Sequence, residues 1–233
     1  MSDKHLSTQF DNELGDVSSR VLEIGGLVET QVRNAIYGLL NHDLASADAA
    51  LADGGRVNTM EITIDGELSA IIARRQPAAR DLRLLIAISK ATANLERVGD
   101  EAEKIARMVK SIIQSDHGQR VPTAELRVAA ELAASLLRKS LDGFARLDTA
   151  QAVSIVKDDE LVDIEFNGFV RKLITYMMED PRTISTSLDL LFVAKALERI
   201  GDHAKNIAEF TIYVVKGADV RHLPMDALES AVA

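Results

Sequence analysis

The chain has 233 residues, 47% of them apolar and only 4% aromatic, with no tryptophan, no cysteine and a formal net charge of −9. That apolar share is enough for a large core, and the dominance of alanine, leucine and isoleucine over aromatics points to helices. The acidic balance excludes nucleic acid and anionic lipid as main partners, because both need a basic face, and the lack of cysteine excludes disulfides, thiolate metal sites and a cysteine nucleophile.

The first residues, Met1 to Glu13, are polar and lack the apolar stretch of a signal peptide. Nowhere do about 18 uncharged apolar residues run together, so no membrane span is expected. The expectation is a soluble cytoplasmic protein that meets a membrane only through partners. In chain order, the apolar periodicity predicts helices over Phe10–Asn41, Leu44–Arg74 and Ala78–Gln114, then Thr123–Arg146, Thr149–Glu179 and Arg182–Lys216. Gly54-Gly55 is expected to kink the second helix or delay its start. Gln76-Pro77 and Asp180-Pro181 supply stops, because the residue before proline disfavours helix. Ser115 to Pro122 has the glycine, proline and polar residues of a linker, and the tail over 218–233 reads as irregular. The fold class is therefore all-α, a tandem repeat of two three-helix bundles over 8–114 and 122–217.

The duplication is direct. Glu96-Arg97-Val98-Gly99-Asp100 recurs as Glu198-Arg199-Ile200-Gly201-Asp202, 102 residues later, and both copies continue with Ala-x-x-Ile-Ala. The same offset aligns Met60-Glu61-Ile62 with Val162-Asp163-Ile164, Ile64 with Phe166, Leu68 with Val170 and Ile71 with Leu173. A seam with alternating spacings of three and four runs through the last helix of each half: Ile88, Ala91, Leu95, Val98, Ala102, Ile105, Val109 and Ile112, then Val193, Leu197, Ile200, Ala204, Ile207, Thr211 and Val214. That period suits long helices packed at shallow angles. At about 100° per residue, Glu96, Asp100 and Glu103 form a stripe nearly opposite the seam and are expected to face outward.

Carboxylates at i and i+4 repel by roughly 0.2–0.5 kcal/mol, and a mid-helix glycine costs about 0.8–1.0 kcal/mol relative to alanine. Both occur twice at one offset, which points to use of the spot, and a hard cation bridging the acids is the simplest use. The preceding helices add Glu61 with Asp65, and Asp163 with Asn167. Antiparallel packing would gather Glu61, Asp65, Glu96 and Asp100 into an oxygen-only site for Mg, Mn or Fe. Tetrahedral zinc is disfavoured, and Asn167 weakens the second site. The alternative is a solvated acidic face relieved by Lys104, four residues after Asp100, and Lys205, three after Asp202, with glycines that merely let helices approach. His203 would suit phosphotransfer on a bundle helix, but its repeat equivalent is Glu101, so the duplicated architecture does not require it. No glycine-rich phosphate loop and no Ser/His/Asp set is evident, and no enzyme is expected.

These residues resemble the PhoU family of bacterial phosphate-transport regulators. The family's E(D)xxxD pattern stands here as Glu61-x-x-x-Asp65, Glu96-x-x-x-Asp100 and Glu198-x-x-x-Asp202. Leu173 to Ile184, Leu197 to His203, Gln76-Pro77, Arg80 to Leu84 and Leu95-Glu96-Arg97 also look like family members, and the likeness spans roughly residues 10 to 223. It implies a negative regulator of the phosphate-starvation response and of phosphate uptake. Such a protein relays the state of a phosphate ABC transporter, through its ATPase subunit, to a sensor histidine kinase, and is often a homodimer. It further implies divalent or trivalent metal at Glu61, Asp65, Glu96, Asp100, Asp163, Glu198 and Asp202, with Asp163-x-x-x-Asn167 as a departure. Arg97 and Arg199 become candidate partner contacts, or else pair with the neighbouring acids. A metal-dependent phosphate- or metal-binding buffer and a purely structural scaffold remain as competing readings.

Overall fold

The computed structural model describes residues 8–115 and 123–232. Its helices are α1 (Thr8–Asn41), α2 (Leu44–Ala52), α3 (Gly54–Arg75), α4 (Ala79–Gln114), α5 (Arg127–Arg146), α6 (Thr149–Glu179), α7 (Ile184–Lys216) and α8 (Met225–Val232), with short 3-10 turns leading into α5 and α7. The all-α expectation holds, and α6 matches its predicted bounds. The predicted linker falls almost wholly outside the described residues.

Two elements differ from expectation. The helix predicted over Leu44–Arg74 is two helices that meet at Asp53, which ends α2 and begins α3, so the interruption expected at Gly54-Gly55 is a full break with α3 starting at Gly54. Asp43 opens α2 by accepting from the amides of Ala45 and Ser46, an N-cap that satisfies donors the first turn would otherwise leave unpaired. The tail is not irregular throughout, because α8 folds back onto α6 and α7, burying Leu228 at 1% exposure and pairing Glu229 with Lys157. A helix this short is marginal in water by itself, and docking supplies its stability. Leu228→Asp is expected to release α8 alone. Amides 225–232 should lose hydrogen-exchange protection while the global Tm moves by no more than about 2 °C, the behaviour of a local unfolding unit.

The stops lie where the prolines place them. Gln76 leaves α3 in the left-handed region (φ 45°) ahead of Pro77, and Asp180 is extended ahead of Pro181, its carboxylate accepting from the Arg182 amide. Every seam residue named above is buried. In the first half α4 packs on α1, α2 and α3; in the second α7 packs on α5 and α6; and α4 lies along α7. The buried apolar side chains form one continuous cluster through both halves, so the repeats share a core. The repeated motifs Glu96 to Asp100 and Glu198 to Asp202 thereby sit on the two helices that join the halves.

Candidate functional site

The first acidic face is built by α3 against α4. Glu61 and Asp65 are four apart on α3, Glu96 and Asp100 four apart on α4, and the packing places Glu61 within electrostatic reach of Glu96 and Asp100. Glu61 is pushed above its ordinary pKa by burial first, then by Asp65 and Asp100, with Arg97 opposing. Glu96 is pushed up by burial, then by Asp100 and Glu61, with Glu103 adding to them. The four carboxylates therefore share one field, and adding positive charge there would relieve it. Asp65 is partly committed, its Oδ1 accepting from Ser89 Oγ at 3.0 Å. Glu96 and Glu103 are half-buried while Asp100 is exposed, so the stripe lies at the edge of the core and does not stand fully clear of it.

The second face, α6 against α7, is differently furnished. Asp202 is raised by burial, then by Asp163, while Lys205, Lys195 and Arg199 oppose the shift. Glu198 is nearly buried, its side chain 13% exposed, with Oε1 accepting from Lys195 Nζ at 2.6 Å and Oε2 buried without a hydrogen-bond partner. Glu198 thus corrects the expectation of an outward carboxylate. Asn167 turns its amide onto its own helix, donating to the Asp163 carbonyl at 2.8 Å.

The residue that sequence reasoning missed is Asp159. It is buried at 4% exposure and held by Lys205, whose Nζ donates to Oδ2 at 3.1 Å. Burial raises the Asp159 carboxyl, with Lys205 pulling it back down. Its repeat equivalent is Val57, and the equivalent of Lys205 is Glu103, so the second half carries an ion pair that the first lacks. The expected lysine relief reaches Asp202 only through the field of Lys205, and neither lysine hydrogen-bonds a motif aspartate. Lys205 is taken by Asp159, and Lys104 donates to the buried Glu101 at 2.6 Å instead of to Asp100. Arg199 reaches from α7 to the same Glu101, at 3.1 Å, and not to the motif acids. Arg97 is exposed.

The motif glycines are packing positions. A Cβ on Gly99 would stand 3.1 Å from Gln31 Oε1, and one on Gly201 would stand 2.9 Å from Asp159 Oδ1 and 3.5 Å from Val162. Each glycine lets a neighbouring helix lay a polar side chain against the motif helix. That accounts for their recurrence without any ligand.

The donor set suits a hard cation: carboxylate oxygens only, least neutralised on the first face. Among the described residues no three Asp, Glu or His side chains stand together as a ready coordination set. Lys195 and Lys205 already occupy acids of the second face, which therefore fits a cation less well than the first. His203 lies between the halves, its Nδ1 2.9 Å from Asn94 Oδ1. Burial depresses its pKa, with Arg97 and Arg199 acting in the same direction and Glu101 against them. No helix among the described residues is long and apolar enough to cross a membrane.

Comparison with known proteins matches this architecture twice over. The family model described as the PhoU domain covers residues 21–109 and again 126–211, each copy falling within one predicted half. A Burkholderia phosphate-specific transport system accessory protein PhoU homolog is 52% identical over 229 residues, 98% of this chain and 97% of that one. The phosphate-specific transport system accessory protein PhoU of Escherichia coli K12 is 44% identical over 230 residues, 99% and 95% respectively. The crystal structure of PhoU from Pseudomonas aeruginosa superposes with a TM-score of 0.87 at 44% identity, covering 90% of this chain and all of that one. The chain belongs to the PhoU family.

Proposed function

We propose that this chain is a regulatory accessory protein of phosphate transport. It holds the phosphate-starvation response off by standing between a phosphate ABC transporter's ATPase subunit and a sensor histidine kinase. The observation that carries this reading is the extent of the likeness, 52% identity across nearly the whole of both chains, to a protein named as an accessory of phosphate-specific transport. A Streptococcus pneumoniae relative with a TM-score of 0.82 and 27% identity is described as a phosphate transport system regulatory protein. In this reading the acidic faces are the working surface. A hard cation such as Mg, Mn or Fe bridges them when the carboxylates turn together, and charge neutralisation there sets how the surface meets its partners. The protein acts as a homodimer in this scheme and reaches the membrane through those partners.

The test is a phosphate-starvation reporter in phosphate-replete cells whose only copy carries Asp100→Asn and Asp202→Asn, at protein levels matched to wild type. Derepression to at least half the level of a full deletion is the expected result. A silent reporter in the variant beside an active one in the deletion would leave the regulator standing and remove the acidic faces from its mechanism. The mutual repulsion on the first face also favours a second reading, a metal-dependent phosphate- or metal-binding buffer. Manganese-dependent uptake of labelled phosphate in equilibrium dialysis, abolished by the same substitutions, would replace the adaptor with that reading.

A further inference from the structure

A cleft of about 740 Å³ lies where α4, α7 and the segment leading into α8 meet. In a chain of net charge −9 its wall is unexpectedly cationic, carrying Arg97, Arg199, Lys205 and Arg221. The repeat explains how this arose. On one side of the α4 and α7 contact, Glu101 takes Arg199 at 3.1 Å. The offset of 102 residues maps that pair onto His203 and Arg97, so the acid that would have neutralised Arg97 is a histidine. Arg97 accordingly makes no hydrogen bond or ion pair among the described residues, while its equivalent Arg199 does. The neighbouring swap runs the same way, Lys205 standing where the first half has Glu103.

We propose that this cleft binds a phosphorylated organic small molecule, its phosphoryl group on Arg97 and its organic part against Val156, Leu223 and Met225. A planar guanidinium that makes no hydrogen bond or close ion pair, and meets Glu61 and Glu96 only through their fields, matches the bidentate geometry of a phosphoryl oxygen pair. The volume falls within the roughly 300–1,000 Å³ of small-molecule sites and far exceeds what one orthophosphate fills. The other cations are partly committed, Lys205 to Asp159 and Arg221 to Asp219. They add field to the site while Arg97 offers the open donors. Two carboxylates share the wall, Asp202 and Glu209. Glu209 is 7% exposed, and Lys205, His222 and Arg221 lie close enough to offset its charge. Nothing in this assignment depends on the regulatory reading or on a metal at the acidic faces.

ATP serves as the probe, titrated calorimetrically in EDTA against the full chain, Arg97→Ala and His203→Glu. Arg97 is exposed, so Arg97→Ala is expected to keep the wild-type Tm, which is checked alongside, and to isolate the contact. His203→Glu restores the acid of the first half and should occupy Arg97 internally. Wild type is expected to bind, with affinity at least tenfold lower in each variant, and pyrophosphate should displace ATP where adenosine does not. No binding at millimolar ATP, equal binding by all three proteins, or displacement by adenosine but not pyrophosphate would each overturn the assignment.

Discussion

Lys205→Met is expected to cost about 2–3 kcal/mol, because it strands a buried carboxylate. For a chain of this size that lowers Tm by roughly 5–10 °C. The Asp159 side chain is 6% exposed and that of Lys205 is 35%, so the two ends of the pair are unequal. Removing the lysine takes away the cation that donates to the buried Asp159 carboxylate. Removing the aspartate leaves a lysine whose ammonium reaches solvent along its own flexible stem. Asp159→Val should therefore stabilise by about 1 kcal/mol, as replacing buried ionic groups with apolar ones of similar volume often does. The geometry supports the swap, since the first half already places Val57 beside Gly99, 3.6 Å from the Cβ position.

The pH dependence carries a definite sign. Asp159 is raised above 3.8 in the folded chain, so the folded state holds its proton more tightly than the unfolded state does. Its contribution is fully present below pH 3.8 and is lost as pH rises through the raised folded value. The advantage of Asp159→Val over wild type should thus grow across that window and stay flat above it. Groups common to both proteins, such as the depressed Asp219 beside Arg221, cancel in the difference. Chemical denaturation of both proteins at a series of pH values checks this, and an advantage that shrinks as pH rises would contradict the assignment.

The same ion pair shows where the sequence stopped being legible. The seam was readable because period and burial coincide: residues spaced three and four apart on α4 and α7 are all inside. The acidic faces were readable because the chain states them twice. Reasoning from the duplication attends to positions where the halves agree, and Asp159 and Lys205 are positions where they disagree. Two departures from the repeat, one gaining an acid and one gaining a base, were the available signal. Lys104 illustrates a different limit. Spacing alone allows it to pair with Asp100, but only the fold reveals that Glu101, one residue further on, is buried and takes it. The helix over Met225–Val232 owes its existence to the surface it lands on, and periodicity over eight residues could not announce it.

Metal and charge neutralisation are expected to act on stability with opposite signs, and the first acidic face is where this should be largest. With Glu96→Gln and Asp100→Asn, the chain in EDTA should be more stable than wild type by several tenths of a kcal/mol, since each like-charge pair costs roughly 0.2–0.5 kcal/mol and burial adds to the repulsion at Glu96. Saturating manganese should reverse the order. A cation at one hundred times its Kd stabilises the folded state by about 2.7 kcal/mol, a rise of roughly 5–10 °C in Tm, and the variant should forgo most of it. The curves must therefore cross as metal is added. Glu198→Gln with Asp202→Asn should show a smaller metal increment, because Lys195 already donates to Glu198 at 2.6 Å and Lys205, Lys195 and Arg199 offset the charge on Asp202. Parallel curves, with the first-face variant more stable at every manganese concentration, would mean that the acids repel one another without ever sharing an ion, and the proposed metal role would fall.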